Sequence, residues 1–92
     1  VADRREPEVV SKGTLDYPAA AVRDGVEGAV KLKVLVTEGG EVAEVAVVES
    51  SGHKRLDVAA LEFVRGWQYR PAVQDGKARR VYTYARVAFE LQ

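Results

Sequence analysis

Cysteine is absent from the 92 residues, and histidine occurs once, at His53. Without thiols there is no disulfide, no thiolate metal site and no cysteine nucleophile. One imidazole is also a thin ligand supply, so neither a metal nor a cofactor is expected. Charge of one sign is lacking too: fourteen Lys and Arg stand against fourteen Asp and Glu. A nucleic-acid module neutralises phosphates with a basic excess, so nucleic acid is not an expected partner. No window approaches the ~18 uncharged apolar residues of a membrane span. The opening Val1-Ala2-Asp3-Arg4-Arg5-Glu6 has no apolar run of the signal-peptide kind. What is plentiful is apolar character, at 47% of residues, enough to offset the chain entropy of one compact domain.

Residues 1–16 hold neither helical nor strand period for long and carry Glu6-Pro7-Glu8 and Ser11-Lys12-Gly13. They read as the end of a linker, in which the β-branched pair Val9-Val10 fits either a sheet edge or a helix. Residues 17–92 read as the domain. Pro18 ahead of Ala19-Ala20-Ala21-Val22-Arg23, with Gly25 behind, predicts a short helix. From Gly28 the period becomes two, with Val30, Leu32, Val34 and Val36 on one face. Gly39-Gly40 supplies a tight turn, so Glu41–Glu49 should return antiparallel. Val42 is out of phase with Val45 and Val47, which implies a bulge or a longer turn. Leu56, Ala59, Ala60, Phe63, Val64 and Trp67 then recur at helical spacing. After Gln74-Asp75-Gly76-Lys77, read as a polar loop, Val81, Thr83, Ala85, Val87, Phe89 and Leu91 alternate with Tyr82, Tyr84, Arg86, Ala88 and Glu90. The order α-β-β-α-β suits an α+β domain with two helices packed on one face of a small three-stranded antiparallel sheet. Such a sheet has two edges, whose unpaired N–H and C=O groups need protection or recruit another strand.

Ser50, Ser51, His53 and Asp57 include the residue types of a hydrolytic triad, but a triad is assembled in space, not along one turn. Helix capping by Ser51 or its neighbour, with His53 in solvent, accounts for them more simply. Glu38, Glu41, Glu44 and Glu49 fit a solvated hairpin face. Gly25-Val26-Glu27-Gly28 matches the bare G-x-x-G of a KH loop, yet it runs from helix to strand and carries Glu27, which repels phosphate. Arg70, Lys77, Arg79 and Arg80 cluster near the last loop, where a solvated rim is the plain reading. Tyr82 and Tyr84 share the face opposite Val87, which makes them either contact surface or aromatics packed on each other or under residues 1–16. Binding is thereby favoured over catalysis.

Five ordered stretches carry a family resemblance: Tyr17-Pro18; Glu27-Gly28-x-Val30; Gly40 with Val42; Ser50-Ser51-Gly52-x-x-x-Leu56-Asp57-x-Ala59-Ala60; and Trp67-x-Tyr69-x-Pro71-Ala72. Together they resemble TonB-type C-terminal domains over residues 17–92. The resemblance implies a non-enzymatic periplasmic module of an energy transducer, held to the inner membrane by a preceding helix and spacer and moved by a proton-driven motor complex. Its implied partner is the TonB box, a short extended segment of outer-membrane transporters that adds alongside the last strand. Carried over, the partner-binding residues are Arg79, Arg80, Val81, Tyr82, Thr83, Tyr84, Ala85 and Arg86, with Tyr17 and Pro18 approaching the transporter plug. Where familiar members are glutamine-rich before Tyr-Pro, this chain has Gly13-Thr14-Leu15-Asp16, which makes Asp16 a candidate by position alone. A related Tol-type or sensor-linked interaction module is the other class implied, and neither cargo nor oligomeric state is specified.

Overall fold

The computed structural model describes residues 3–91. Alternation predicts the central sheet well. Strand β3 (Gly28–Val36) pairs antiparallel with β4 (Val42–Glu49) on one side and with β8 (Val81–Phe89) on the other. Val30, Leu32, Val34 and Val36 of β3 are buried together with Ala85, Val87 and Phe89 of β8. Helix α2 (Lys54–Arg65) covers that face with Leu56, Ala60 and Val64. Helix α1 (Ala19–Arg23) is five residues long, starts behind Pro18 and buries Ala21. Val42 is out of phase because of a bulge: Leu35 pairs with Glu44 but Val36 with Val42, leaving Ala43 extra. A second irregularity leaves Val48 extra between Val47 and Glu49.

The expected architecture of two helices on a three-stranded sheet is nevertheless incorrect. Among the described residues eight strands form three sheets, and strand outweighs helix 47% to 19%. The additional strands are β1 (Arg4–Arg5), β2 (Glu8–Ser11), β5 (Gln68–Arg70), β6 (Ala72–Gln74) and β7 (Lys77–Arg79). β1 pairs with β6 and β2 with β5, both antiparallel. The two pairings continue one register, which sets Pro7 opposite Pro71. Neither proline has an N–H to give, so the ladder breaks there and one ribbon becomes two short ones. The stretch Gln74-Asp75-Gly76-Lys77 is no loop but the tip of the β6–β7 hairpin. Asp75 and Gly76 both take positive φ (52° and 75°), as a two-residue type I′ turn requires.

These strands escape periodicity because three of them bury little, while β5 and β6 bury Tyr69 and Ala72 but are only three residues long. β1 and β7 are wholly exposed, and β2 half-buries Val9 alone. Alternation marks only strands that bury one face; a strand held by backbone rungs leaves no such trace. Trp67 also differs slightly from expectation, since it lies just past the helix, its amide donating to the Val64 carbonyl at 3.0 Å. Its ring is still 4% exposed, edge-on to Phe63 with centroids 5.4 Å apart.

One close approach joins sheet and ribbon. Gly40, at φ 83°, accepts a 2.8 Å hydrogen bond from the Tyr69 amide, and Glu41 bridges to Gln68. A Cβ on Gly40 would lie 2.0 Å from the Tyr69 carbonyl oxygen.

Truncating the buried indole in Trp67→Ala should therefore lose ~3 to 5 kcal/mol, whereas His53→Ala, on an exposed turn, should stay within about 0.5 kcal/mol. Denaturant melts that give equal losses would remove Trp67 from the core. Gly40→Ala combines backbone strain with collision and should cost more than ~2 kcal/mol in the same melts. A wild-type midpoint would show that the joint is soft.

Candidate functional site

Every strand of the central sheet except β3 has an open side, and the two open edges differ. β8 keeps a nine-residue register with β3 without a shift, from Gly28 opposite Phe89 to Val36 opposite Val81. The N–H and C=O groups of every second residue are therefore presented in unbroken sequence at the free edge. β4 carries the Ala43 and Val48 irregularities and exposed Glu44 and Glu49, features that discourage strand addition.

Above β8, Tyr82 and Tyr84 stand on the solvent face at 56% and 59% exposure. Between contact surface and burial beneath residues 1–16, the structure selects exposure. Lys33 Nζ sits 4.3 Å from the Tyr82 ring centroid and Lys31 Nζ 5.1 Å from that of Tyr84. The Tyr82 hydroxyl donates to Glu44 Oε2 at 3.3 Å. Arg86 and Arg79 are exposed. Arg80 pairs with Glu38 of the β3–β4 turn at 3.4 Å, and Glu38 is held below the usual carboxylate range by its own backbone amide and by this guanidinium. Val81 and Thr83 are half-buried and Ala85 is buried, so Ala85 offers a partner only its backbone.

A groove of about 310 Å³ borders the start of β8. Four consecutive residues of β8, Val81–Tyr84, and four consecutive residues of the N-terminal segment, Arg4–Pro7, line it. Successive side chains of a strand point to opposite faces, so a groove that touches four in a row runs along the strand's edge. The edge facing β3 is occupied, which leaves the open one. A larger groove, about 710 Å³, follows β4 over Val42–Ala46.

Tyr17 and Pro18 lie elsewhere. The Tyr17 ring packs edge-on to Phe89 with centroids 5.3 Å apart, and its hydroxyl donates to the Val26 carbonyl. Burial and the nearby Glu27 push its pKa up. Phe89 ends β8, eight residue steps or roughly 26 Å from Val81 at the usual strand rise. Asp16, exposed, lines a third groove with Arg55 and Phe63. The structure thus separates Asp16, Tyr17 and Pro18 from Arg79–Tyr84 and links the two groups only through the length of β8. Sequence reading missed Arg4–Pro7 as a wall of the edge groove; the Asp75-Gly76 hairpin signal was the available clue that residues 68–79 form strands with an edge to cover.

The Ser50, Ser51, His53 and Asp57 group does not assemble as a triad. Ser50 Oγ donates to Asp57 Oδ2, while Ser51 gives its amide to Oδ1 at 2.9 Å and places Oγ 2.7 Å from the same oxygen. His53 is the N-cap residue of α2, makes no side-chain cap bond, and donates its amide to Ser51 Oγ at 3.1 Å. Serine capping of the expected kind is replaced by Asp57 reaching back from the first turn, which ties the β4–α2 turn to the helix.

The class so defined is a small, strand-rich domain with two helices and an open strand edge. Residues 14–91 match the family described as Gram-negative bacterial TonB protein C-terminal, and the chain belongs to that family. Protein tonB2 of Pseudomonas aeruginosa is 40% identical over 76 residues, covering 83% of this chain and 28% of that protein. Protein TonB of Xanthomonas campestris pv. campestris is 41% identical over 61 residues, covering 66% of this chain and 27% of its own length. The chain thus spans little more than a quarter of these relatives. The solution NMR structure of the Pseudomonas aeruginosa TonB CTD shares the fold, with a TM-score of 0.77 at 23% identity over 95% of this chain and 88% of that one.

Burial draws the Asp57 pKa up, but the hydrogen bonds from Ser50 and Ser51 outweigh it and hold the carboxyl below its ordinary value. A depressed folded-state pKa adds stability that is complete above the unfolded value and lost as pH falls through the folded one. Asp57→Asn should therefore cost about 1 kcal/mol at neutral pH, and its gap from wild type should narrow as pH falls below the unfolded carboxylate pKa and close below the folded one. Melts across pH check this, and a gap independent of pH would mean that the charge is irrelevant.

Proposed function

We propose that the domain is the non-enzymatic, periplasmic end of a TonB-type energy transducer, and that it receives an extended segment of an outer-membrane transporter, the TonB box, as an added strand along the open edge of β8. The single observation that carries this reading is the unshifted nine-residue register of β8 against β3, opposite an edge broken twice. Family membership supports the transporter as partner class, and the strand supplies the means. Backbone N–H and C=O groups between Arg80 and Arg86 provide sequence-tolerant rungs, and the exposed Tyr82, Tyr84 and Arg86 side chains select among partners. Tyr17 and Pro18, packed at the Phe89 end, would approach the transporter plug when the strand is engaged. In the complete protein, an inner-membrane anchor and spacer would connect the domain to a proton-driven motor complex, so that a pull on the spacer is delivered through the added strand.

A free peptide loses chain entropy on pairing, so its affinity should be weak, in the upper micromolar range or poorer, ~−5 kcal/mol or weaker. Tethering by the spacer compensates through effective concentration. In an amide-shift titration with a short peptide from a candidate transporter's N-terminal region, perturbations should centre on Arg80–Arg86 and reach Tyr17 through Phe89. Perturbations centred on Val42–Glu49, with β8 silent, would transfer docking to the opposite edge.

A further inference from the structure

The segment Arg4–Pro7 lies outside the family match, which begins at residue 14, yet it stands beside the edge where docking is placed. Resting on that docking reading, we propose that this strap is the outer wall of the docking groove and selects partners whose pairing segment carries a carboxylate beside Val81–Tyr84.

Three observations lead there. The groove is lined by consecutive residues of the strap and of β8, together with Ala72 and Gln74 of β6, which brings the strap to the start of β8. An added strand at Val81–Tyr84 therefore has the strap as its next neighbour. The strap is preformed, not a loose tail. Arg4 pairs with Gln74 and Arg5 with Val73, the Gly76 amide donates to the Asp3 carbonyl at 3.2 Å, and Arg70 meets Glu8 at 3.2 Å. Further along, Lys12 Nζ sits 4.9 Å from the Trp67 ring centroid. Its entropy is thus already spent before a partner arrives, which favours binding.

Charge completes the case. Arg4 makes no ion pair among the described residues, and Arg5 meets Asp3 only loosely at 3.7 Å. Glu6 is the one anion on the groove wall. Arg79, exposed and also without an ion pair among the described residues, precedes the β8 start, while Arg80 is engaged by Glu38. The entrance is therefore cationic in a chain with no net charge. A carboxylate-bearing segment is the complementary occupant, and a cationic one is disfavoured.

The test uses three short Thr/Val-alternating peptides: one uncharged, one with Asp at its N-terminal end and one with Asp at its C-terminal end. Each is titrated into the whole chain while amide shifts are followed. One acidic peptide, the one whose orientation sets Asp at the strap, should bind wild type about two- to five-fold tighter than the uncharged peptide, as exposed ion pairs allow. That preference should vanish in Arg4→Gln with Arg5→Gln, survive in Arg4→Lys with Arg5→Lys, survive in Lys54→Gln on α2, and fade with added salt. Unchanged Val73 and Gln74 shifts in the Gln variant would show that the strap is still paired, so a lost preference reports charge. An acidic preference that persists in the Gln variant overturns the strap's role, as does its absence in wild type while β8 still shifts; in both cases docking at β8 stands. Silence along β8 with all three peptides overturns the docking reading, and the strap's role falls with it.

Discussion

The contact between Gly40 and Tyr69 is the joint on which the rest of the molecule depends. On one side of it is a conventional half-buried sheet under α2, built by alternating valines. On the other is a ribbon with little core of its own, whose short strands would be marginal alone. The 2.8 Å hydrogen bond from Tyr69 to the Gly40 carbonyl and the Glu41–Gln68 bridge hang that ribbon on the β3–β4 turn. Because β5 is fixed there, β2 has a partner, β1 follows in the same register, and Arg4–Pro7 arrive beside β8. A glycine in a turn far along the sequence from the strap thus decides where the strap lies.

The two sheet edges express one constraint solved in opposite ways. β4 is made irregular at Ala43 and Val48 and flanked by glutamates, which leaves its rungs unevenly spaced. β8 is regular throughout and carries tyrosines steadied by Lys31 and Lys33. Protection of one edge and exposure of the other would direct an added strand to β8, and the same asymmetry limits edge-to-edge self-association at β4.

Much of this was legible in the sequence wherever burial wrote a period. The α2 stripe, the β3 and β8 faces and the dislocation at Val42 all emerged correctly, because a buried face constrains every second or every third to fourth residue. The five outer strands were not legible, and the expected three-stranded architecture failed for that reason. Arg4-Arg5 and Lys77-Ala78-Arg79 are strands by virtue of backbone partners, a property their side chains do not record. Asp75-Gly76 was the one explicit signal passed over. The candidate site was half legible: β8 was the final strand and its tyrosines were exposed, but linear order gave no hint that Tyr17 packs at one end of β8 while Arg4 and Arg5 flank the other. The serine-rich turn before α2, with its triad residue types, proved to be a knot closed by Asp57.

Pro7 facing Pro71 divides the strap into two lengths with a rungless gap between them. Seen as a mechanical element, such a strap does not part all at once. Tension entering ahead of Arg4 would load the pair of β1 residues first, and the gap would then interrupt the peel before the longer β2 stretch, pinned by Val9 against Tyr69, bears any force. The paired prolines thus make two short ladders of one ribbon, so that freeing the β1 rungs would not by itself break those of β2.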